Sequence, residues 1–188
     1  MKYVSDISQA TLEVKQSKFI AYLLPYSKYE QQLETLKKEH PKARHFVVAY
    51  RYLNEFNQIV EHSSDDGEPK GTSGKPSLFV LQGAEMINTA VITVRYFGGT
   101  KLGTGGLVRA YSDAVNLVLS DANILIYTQL VEKQISFEYA NIRIIEYEAS
   151  VFEVEIIEKL YDTATTYKLQ ASKENMELFL NKVSRLIK

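Results

Sequence analysis

The sequence predicts an α+β protein of two domains, and three observations carry that prediction. Segments with the two-residue alternation of strands are interleaved with segments of helical periodicity. Glycine is confined: eight of nine glycines lie within residues 67–74 and 98–106, and none follows Gly106. Residues 125–188 hold no glycine or proline and have the order strand, helix, strand, strand, helix. That order is the plan of a split β-α-β, ferredoxin-like domain, with an antiparallel sheet and helices on one face. A chain of 188 residues that is 45% hydrophobic can bury one large or two small cores.

Taken in order, residues 11–15 and 18–24 alternate as a hairpin. Ser27 opens a helix with Leu33 and Leu36 on one face, which ends before Pro41. Residues 45–53 and 58–62, both rich in aromatic and β-branched side chains, flank a turn at 54–57 and form a second hairpin. Ser73 caps a helix that tolerates Pro76 in its first turn and runs to about Met86. Residues 90–97 are almost continuously apolar, as in a buried strand. A helix from about Gly105 to Ser120 carries Leu107, Tyr111, Ala114, Val115 and Val118 on one stripe, with Arg109, Ser112, Asp113 and Asn116 off it.

Beyond residues 121–123 strands are expected over 130–139, 150–158 and 163–171, with helices over 141–148 and 173–187. Residues 1–124 carry 14 basic and 13 acidic side chains, a net +1, and residues 125–188 carry 8 and 10, a net −2. The change in texture and charge places the boundary between domains 1–124 and 125–188.

The whole chain balances 22 basic against 23 acidic residues, so no global basic field announces nucleic acid. Cysteine is absent, which excludes a disulfide frame and any thiolate metal site. There is neither a signal-peptide run nor a stretch of about 18 apolar residues to span a bilayer. A cytoplasmic protein with no membrane partner is expected.

The chemistry concentrates where a strand meets a glycine loop and a helix, RYFGGTKLGTGGLVRAY over residues 95–111. A loop leaving a strand and opening a helix presents free N–H groups and the positive helix end to an anion. Gly98, Gly99, Gly103, Gly105 and Gly106 would allow close backbone approach, and Arg95, Lys101 and Arg109 would contact phosphate. Either Tyr96 or Tyr111 would stack on a base. The P-loop pattern G-x-x-x-x-G-K-[ST] fails, because Thr104 and Gly105 follow Gly103. The G-x-G-x-x-G fingerprint fails at Val108. A purely structural tight turn is the competing reading of the same glycines.

The other patch is DDGEPKGTSGKP, residues 65–76. Asp65, Asp66 and Glu68, with His62 upstream, admit a metal or acid–base reading, but their spacing matches no calcium loop. Ordinary turn chemistry also explains them. A third possibility is that these carboxylates orient or brace Arg95, Lys101 and Arg109, supported by Gly71 and Thr72. Nucleophilic catalysis lacks a motif, since cysteine and G-x-S-x-G are both absent. No catalytic residue, no cofactor and no metal site is expected.

The two patches, together with SKFIA at residues 17–21 and ARH at 43–45, closely resemble the paired signatures of the YigZ/IMPACT family. The resemblance covers about residues 1–124, and residues 125–188 look like the smaller C-terminal domain of bacterial members. It implies an N-terminal domain similar to the second domain of a small-subunit ribosomal protein. It also implies a C-terminal domain similar to the last domain of elongation factor G, in agreement with the strand and helix order. Eukaryotic relatives regulate translation by protein contact, aided by an additional N-terminal domain that this sequence lacks. The expectation is a non-enzymatic protein that binds RNA or a ribosome-associated partner and modulates translation. The alternatives are an enzyme acting on a phosphorylated small molecule, with a divalent ion at Asp65 or Asp66, and a pure protein-interaction module.

Overall fold

The computed structural model describes residues 1–162 and 164–188, and its backbone divides into two units, Met1–Tyr127 and Thr128–Lys188. In the first unit, β2 (Ser8–Val14), β3 (Ser17–Pro25), β4 (His45–Leu53), β5 (Ile59–Ser64) and β6 (Thr89–Tyr96) form one sheet. Its order is β2-β3-β6-β4-β5, and every neighbouring pair is antiparallel. The strand entered last is therefore the central one. That position explains its nearly unbroken apolar run, because residues 89 to 95 are buried on both faces.

Alternation along the strands sorts side chains onto two cores. Phe19, Ala21, Leu23, Val47, Ala49 and Val91 pack against α2 (Gly74–Gly83) and α3 (Gly103–Asp121) through Leu81, Tyr111, Val115 and Val118. Ile20, Tyr22, Leu24, Val48, Ile92 and Val94 pack on the opposite face around Leu36 of α1 (Tyr29–Glu39). β3 and β4 run in the same direction with β6 between them, so β3-α1-β4 is a split crossover. A separate ribbon of β1 (Lys2–Val4) and β7 (Ile124–Ile126) pairs Val4 with Ile124. This ribbon holds residues 124–126 in the first unit, which moves the boundary from residue 124 to Tyr127.

In the second unit β8 (Leu130–Phe137), α4 (Ile142–Val151), β9 (Glu155–Tyr161), β10 (Thr165–Ser172) and α5 (Lys173–Val183) follow in the predicted order. The antiparallel sheet is ordered β8-β10-β9. Its core is Ile135, Phe137, Ile145, Ala149, Tyr167, Leu169 and Phe179. The strand expected from residue 150 begins at Glu155, because Ile145 and Ala149 sustain the helical stripe through Val151. The expected start of the last strand, Thr163, lies outside the described residues. Ser172 caps α5 by accepting a hydrogen bond from the Asn175 N–H at 3.1 Å. No helix among the described residues is long and apolar enough to cross a membrane.

One contact fixes the path of the chain after β6. A two-residue turn, Lys15 and Gln16 with φ of 47° and 64°, joins β2 to β3. Gly98 lies directly against it: a Cβ there would come 2.0 Å from the Gln16 carbonyl carbon. Its N–H donates to Ser17 Oγ at 3.1 Å. A Cβ on Gly105, by contrast, meets nothing within 4 Å. Gly98→Ala is expected to lower unfolding stability in urea by about 2–4 kcal/mol and Gly105→Ala to change it by less than about 1 kcal/mol. Equal effects of the two substitutions would contradict this packing.

Candidate functional site

The two glycine patches meet through one carboxylate. Glu68 is buried, and its Oε1 accepts from Arg95 Nη1 at 2.6 Å and from the Tyr111 hydroxyl at 2.9 Å. Arg95 comes from the end of β6 and Tyr111 from the third turn of α3, so a single loop residue ties strand to helix. The Arg95 guanidinium lies 5.4 Å from the centre of the Phe19 ring and 5.7 Å from that of Phe97. Burial, reinforced by the Glu68 charge, pushes the Tyr111 hydroxyl far above its ordinary pKa, so it remains a donor.

The neighbouring acids are committed elsewhere. Asp65 Oδ2 accepts from the Gly71 N–H at 2.7 Å. Its Oδ1 accepts from Ser73 Oγ, Gly74 N and Ser73 N at 2.7, 2.8 and 3.2 Å. Burial alone would raise the Asp65 pKa, but these donors outweigh it and hold the carboxyl below the usual range. Asp65, and not the expected Ser73, is thus the acceptor at the N-terminus of α2. Asp66 accepts from the Phe46 N–H at 2.6 Å through Oδ2, and its carbonyl accepts from His45 Nδ1 at 2.8 Å.

These bonds correct several expectations. Asp65 and Asp66 orient no basic side chain; both are drawn to backbone N–H groups, and only Glu68 meets a cation. Four donors surround the Asp65 carboxylate, which removes it as a cation ligand, and no group of three acidic or histidine side chains among the described residues could hold a metal. His62 instead stacks on Tyr50. Thr72 is buried and donates to the Pro69 carbonyl at 2.7 Å, and Gly71 serves Asp65, so both support the loop and not a ligand. Arg95 is 7% exposed and paired, so it is not a free phosphate contact. Tyr111 is fully buried against Phe19 and cannot stack on a base.

What stays accessible is the loop itself. Gly99, Lys101, Gly103, Gly105 and Arg109 are exposed, and Gly106 is half-buried against Leu102. Gly99 and Gly103 take φ of +87° and +74°, a region that favours glycine. α3 begins without a side-chain cap and with no acid in its first turn. Its first N–H groups are therefore unpaired by side chains at the positive end of a 19-residue helix.

A cleft of about 380 Å³ is lined by Lys42, Arg44, His45, Arg95, Tyr96 and Phe97. Tyr96 is held by its hydroxyl to His40 Nδ1 at 2.9 Å, while His40 Nε2 meets the Tyr22 hydroxyl at 3.0 Å. Phe97, 57% exposed, is the accessible ring at the strand end. Strand alternation sends only one of residues 96 and 97 inward, and it is Tyr96 that is held. Lys42 and Arg44 were not read as site residues, because ARH at residues 43–45 marks only the family resemblance and its nearness to the end of β6 appears only in the fold.

The fold and the site together define a two-unit α/β protein whose first unit presents an uncapped glycine-rich helix start beside a basic, aromatic-walled cleft. A family model described as the Impact N-terminal domain matches residues 15–119. An IMPACT family member from Haemophilus influenzae is 33% identical over 92% of this chain and 85% of its own. IMPACT family member YigZ from Escherichia coli is 39% identical over 71% of this chain and 67% of its own. A solved structure described as the crystal structure of an hypothetical protein aligns over 98% of this chain and 91% of its own, with TM-score 0.65 and 31% identity. The chain belongs to the IMPACT family.

The Asp65 bonds have a consequence in acid. A carboxyl whose folded pKa lies below its unfolded value stabilises fully above the unfolded value, and loses that contribution as pH falls through the folded one. Asp65→Asn should therefore show a smaller drop in melting temperature than the parent protein as pH falls from neutral to well below the ordinary carboxylate range. An unchanged acid limb in the variant would contradict the assignment.

Proposed function

We propose that the protein binds single-stranded RNA, on its own or within a ribosome-associated assembly, and modulates translation in the cytoplasm without catalysis. The observation that carries this reading is the open start of α3, where unpartnered N–H groups, Lys101 and Arg109 stand exposed with no acid in the first turn. A strand's backbone phosphate would lie along the glycines and meet the two cations, while Phe97 would offer a sequence-tolerant stacking face. Membership of a family whose eukaryotic branch regulates translation supports the biological setting. We take the first unit to be similar to the second domain of a small-subunit ribosomal protein and the second unit to the last domain of elongation factor G; the β-α-β-β-α order of the latter supports that likeness.

A protein partner is the second reading, and one observation favours it. A shallow groove of about 370 Å³ on α2 and α3 exposes Phe79 and Val108 beside Gly71, Lys75 and Pro76. The near-neutral net charge of −1 is also more ordinary for a protein-binding surface than for a general nucleic-acid binder.

The decisive experiment measures affinity for a single-stranded oligoribonucleotide as a function of salt. Lys101→Ala/Arg109→Ala should weaken binding and reduce the log–log salt slope by about 1.4, the value for two lost single-strand phosphate contacts. Gly105→Ala should weaken binding without loss of stability, because its Cβ stands between strand and amide. Unchanged affinity in both variants would remove the loop as the contact surface.

A further inference from the structure

The structure assigns a second ligand site: we infer that the cleft beneath Phe97 holds one nucleoside monophosphate, free or as the 5′ end of a strand. Its cations are not equivalent. Arg95 is neutralised by Glu68, whereas Lys42 and Arg44, on the loop between α1 and β4, are exposed and make no ion pair among the described residues. Two exposed cations on the wall of one cleft suit a phosphate dianion.

His45 is set up as a third polar contact. Its Nδ1 faces the Asp66 carbonyl, which can only accept, so the proton sits on Nδ1 and Nε2 is the nitrogen left for a ligand. No acidic side chain is among the residues that line the cleft, and the Asp66 carboxylate serves the Phe46 N–H.

Tyr96 and Phe97 line the same cleft. One face of Phe97 covers the Arg95 guanidinium and the ring is otherwise exposed, which leaves it a surface for a base. Tyr96 is locked by His40, so the wall is formed before the ligand arrives. A volume of about 380 Å³ falls within the range of about 300–1,000 Å³ found for small-molecule sites. A phosphate-binding floor beside a stacking wall at this size matches one nucleotide and not a helix or a lipid chain.

The inference rests on the nucleic-acid reading only in its choice of a nucleotide, and it is tested without RNA. Calorimetry on the full chain would use AMP, adenosine and inorganic phosphate. AMP should bind saturably, more tightly than phosphate, and adenosine should not bind measurably. Lys42→Ala/Arg44→Ala, at exposed loop positions, should abolish AMP binding with an unchanged melting temperature. Phe97→Leu should weaken AMP about tenfold, the size of a lost base stack, and leave phosphate affinity unaltered.

A 5′-phosphorylated oligoadenylate that displaces AMP where the 5′-hydroxyl form does not would support a strand end as the source. AMP binding without such displacement would support the free nucleotide. Absence of AMP binding, AMP affinity indifferent to Lys42 and Arg44, or phosphate binding as tightly as AMP would overturn the assignment. Lys101→Ala/Arg109→Ala should leave AMP binding intact, which separates failure of the cleft from failure of the loop surface.

Discussion

Glu68 is a carboxylate taken out of water, and the first unit's loops are held by the way it is compensated. One oxygen receives a guanidinium N–H and a phenol, both buried with it. Each partner comes from a different element, so moving the loop at residues 65–76 strands a cation at the end of β6 and a hydroxyl inside α3. Leaving one member of such a buried pair uncompensated costs about 3–5 kcal/mol, far more than an exposed ion pair supplies. The same contact decides which side chains remain for a ligand. Arg95 is withdrawn from solution, its guanidinium supports the underside of Phe97, and binding is left to residues that the brace does not use.

The three acids of the first patch illustrate how hydrogen-bond supply sorts chemically identical groups. Asp65 meets a turn that points four donors at it and so becomes a remote helix cap. Asp66 meets an edge amide of β4. Glu68, one methylene longer, reaches into the core. Each of the three acids holds backbone or side-chain donors that fix this loop against its neighbours.

The architecture was legible where periodicity was strong. The continuous run at residues 90–97 announced a buried strand, and the Leu107 to Val118 stripe gave α3 and its buried face. The β-α-β-β-α order of the second unit was read from residues 125–188, which carry no glycine or proline. Errors arose where tertiary context outweighed local signals. Ser73 has the residue type of a cap, yet Asp65, eight positions upstream, takes that role. Arg95 and Tyr111 look like a cation and an aromatic platform, and only the meeting of distant loops shows them to be buried partners. Phe97 and the cations Lys42 and Arg44 gained meaning once the sheet brought the end of β6 beside the α1–β4 loop, a proximity that no spacing in the chain encodes.

The most direct test of this account is a double-mutant cycle on Glu68→Gln and Arg95→Met, followed by urea denaturation. Each single change should destabilise strongly, and the double variant should recover a coupling energy of about 2 kcal/mol or more. Costs that add to within about 0.5 kcal/mol would mean the two residues are independent. The loops would then be held together by something other than this carboxylate.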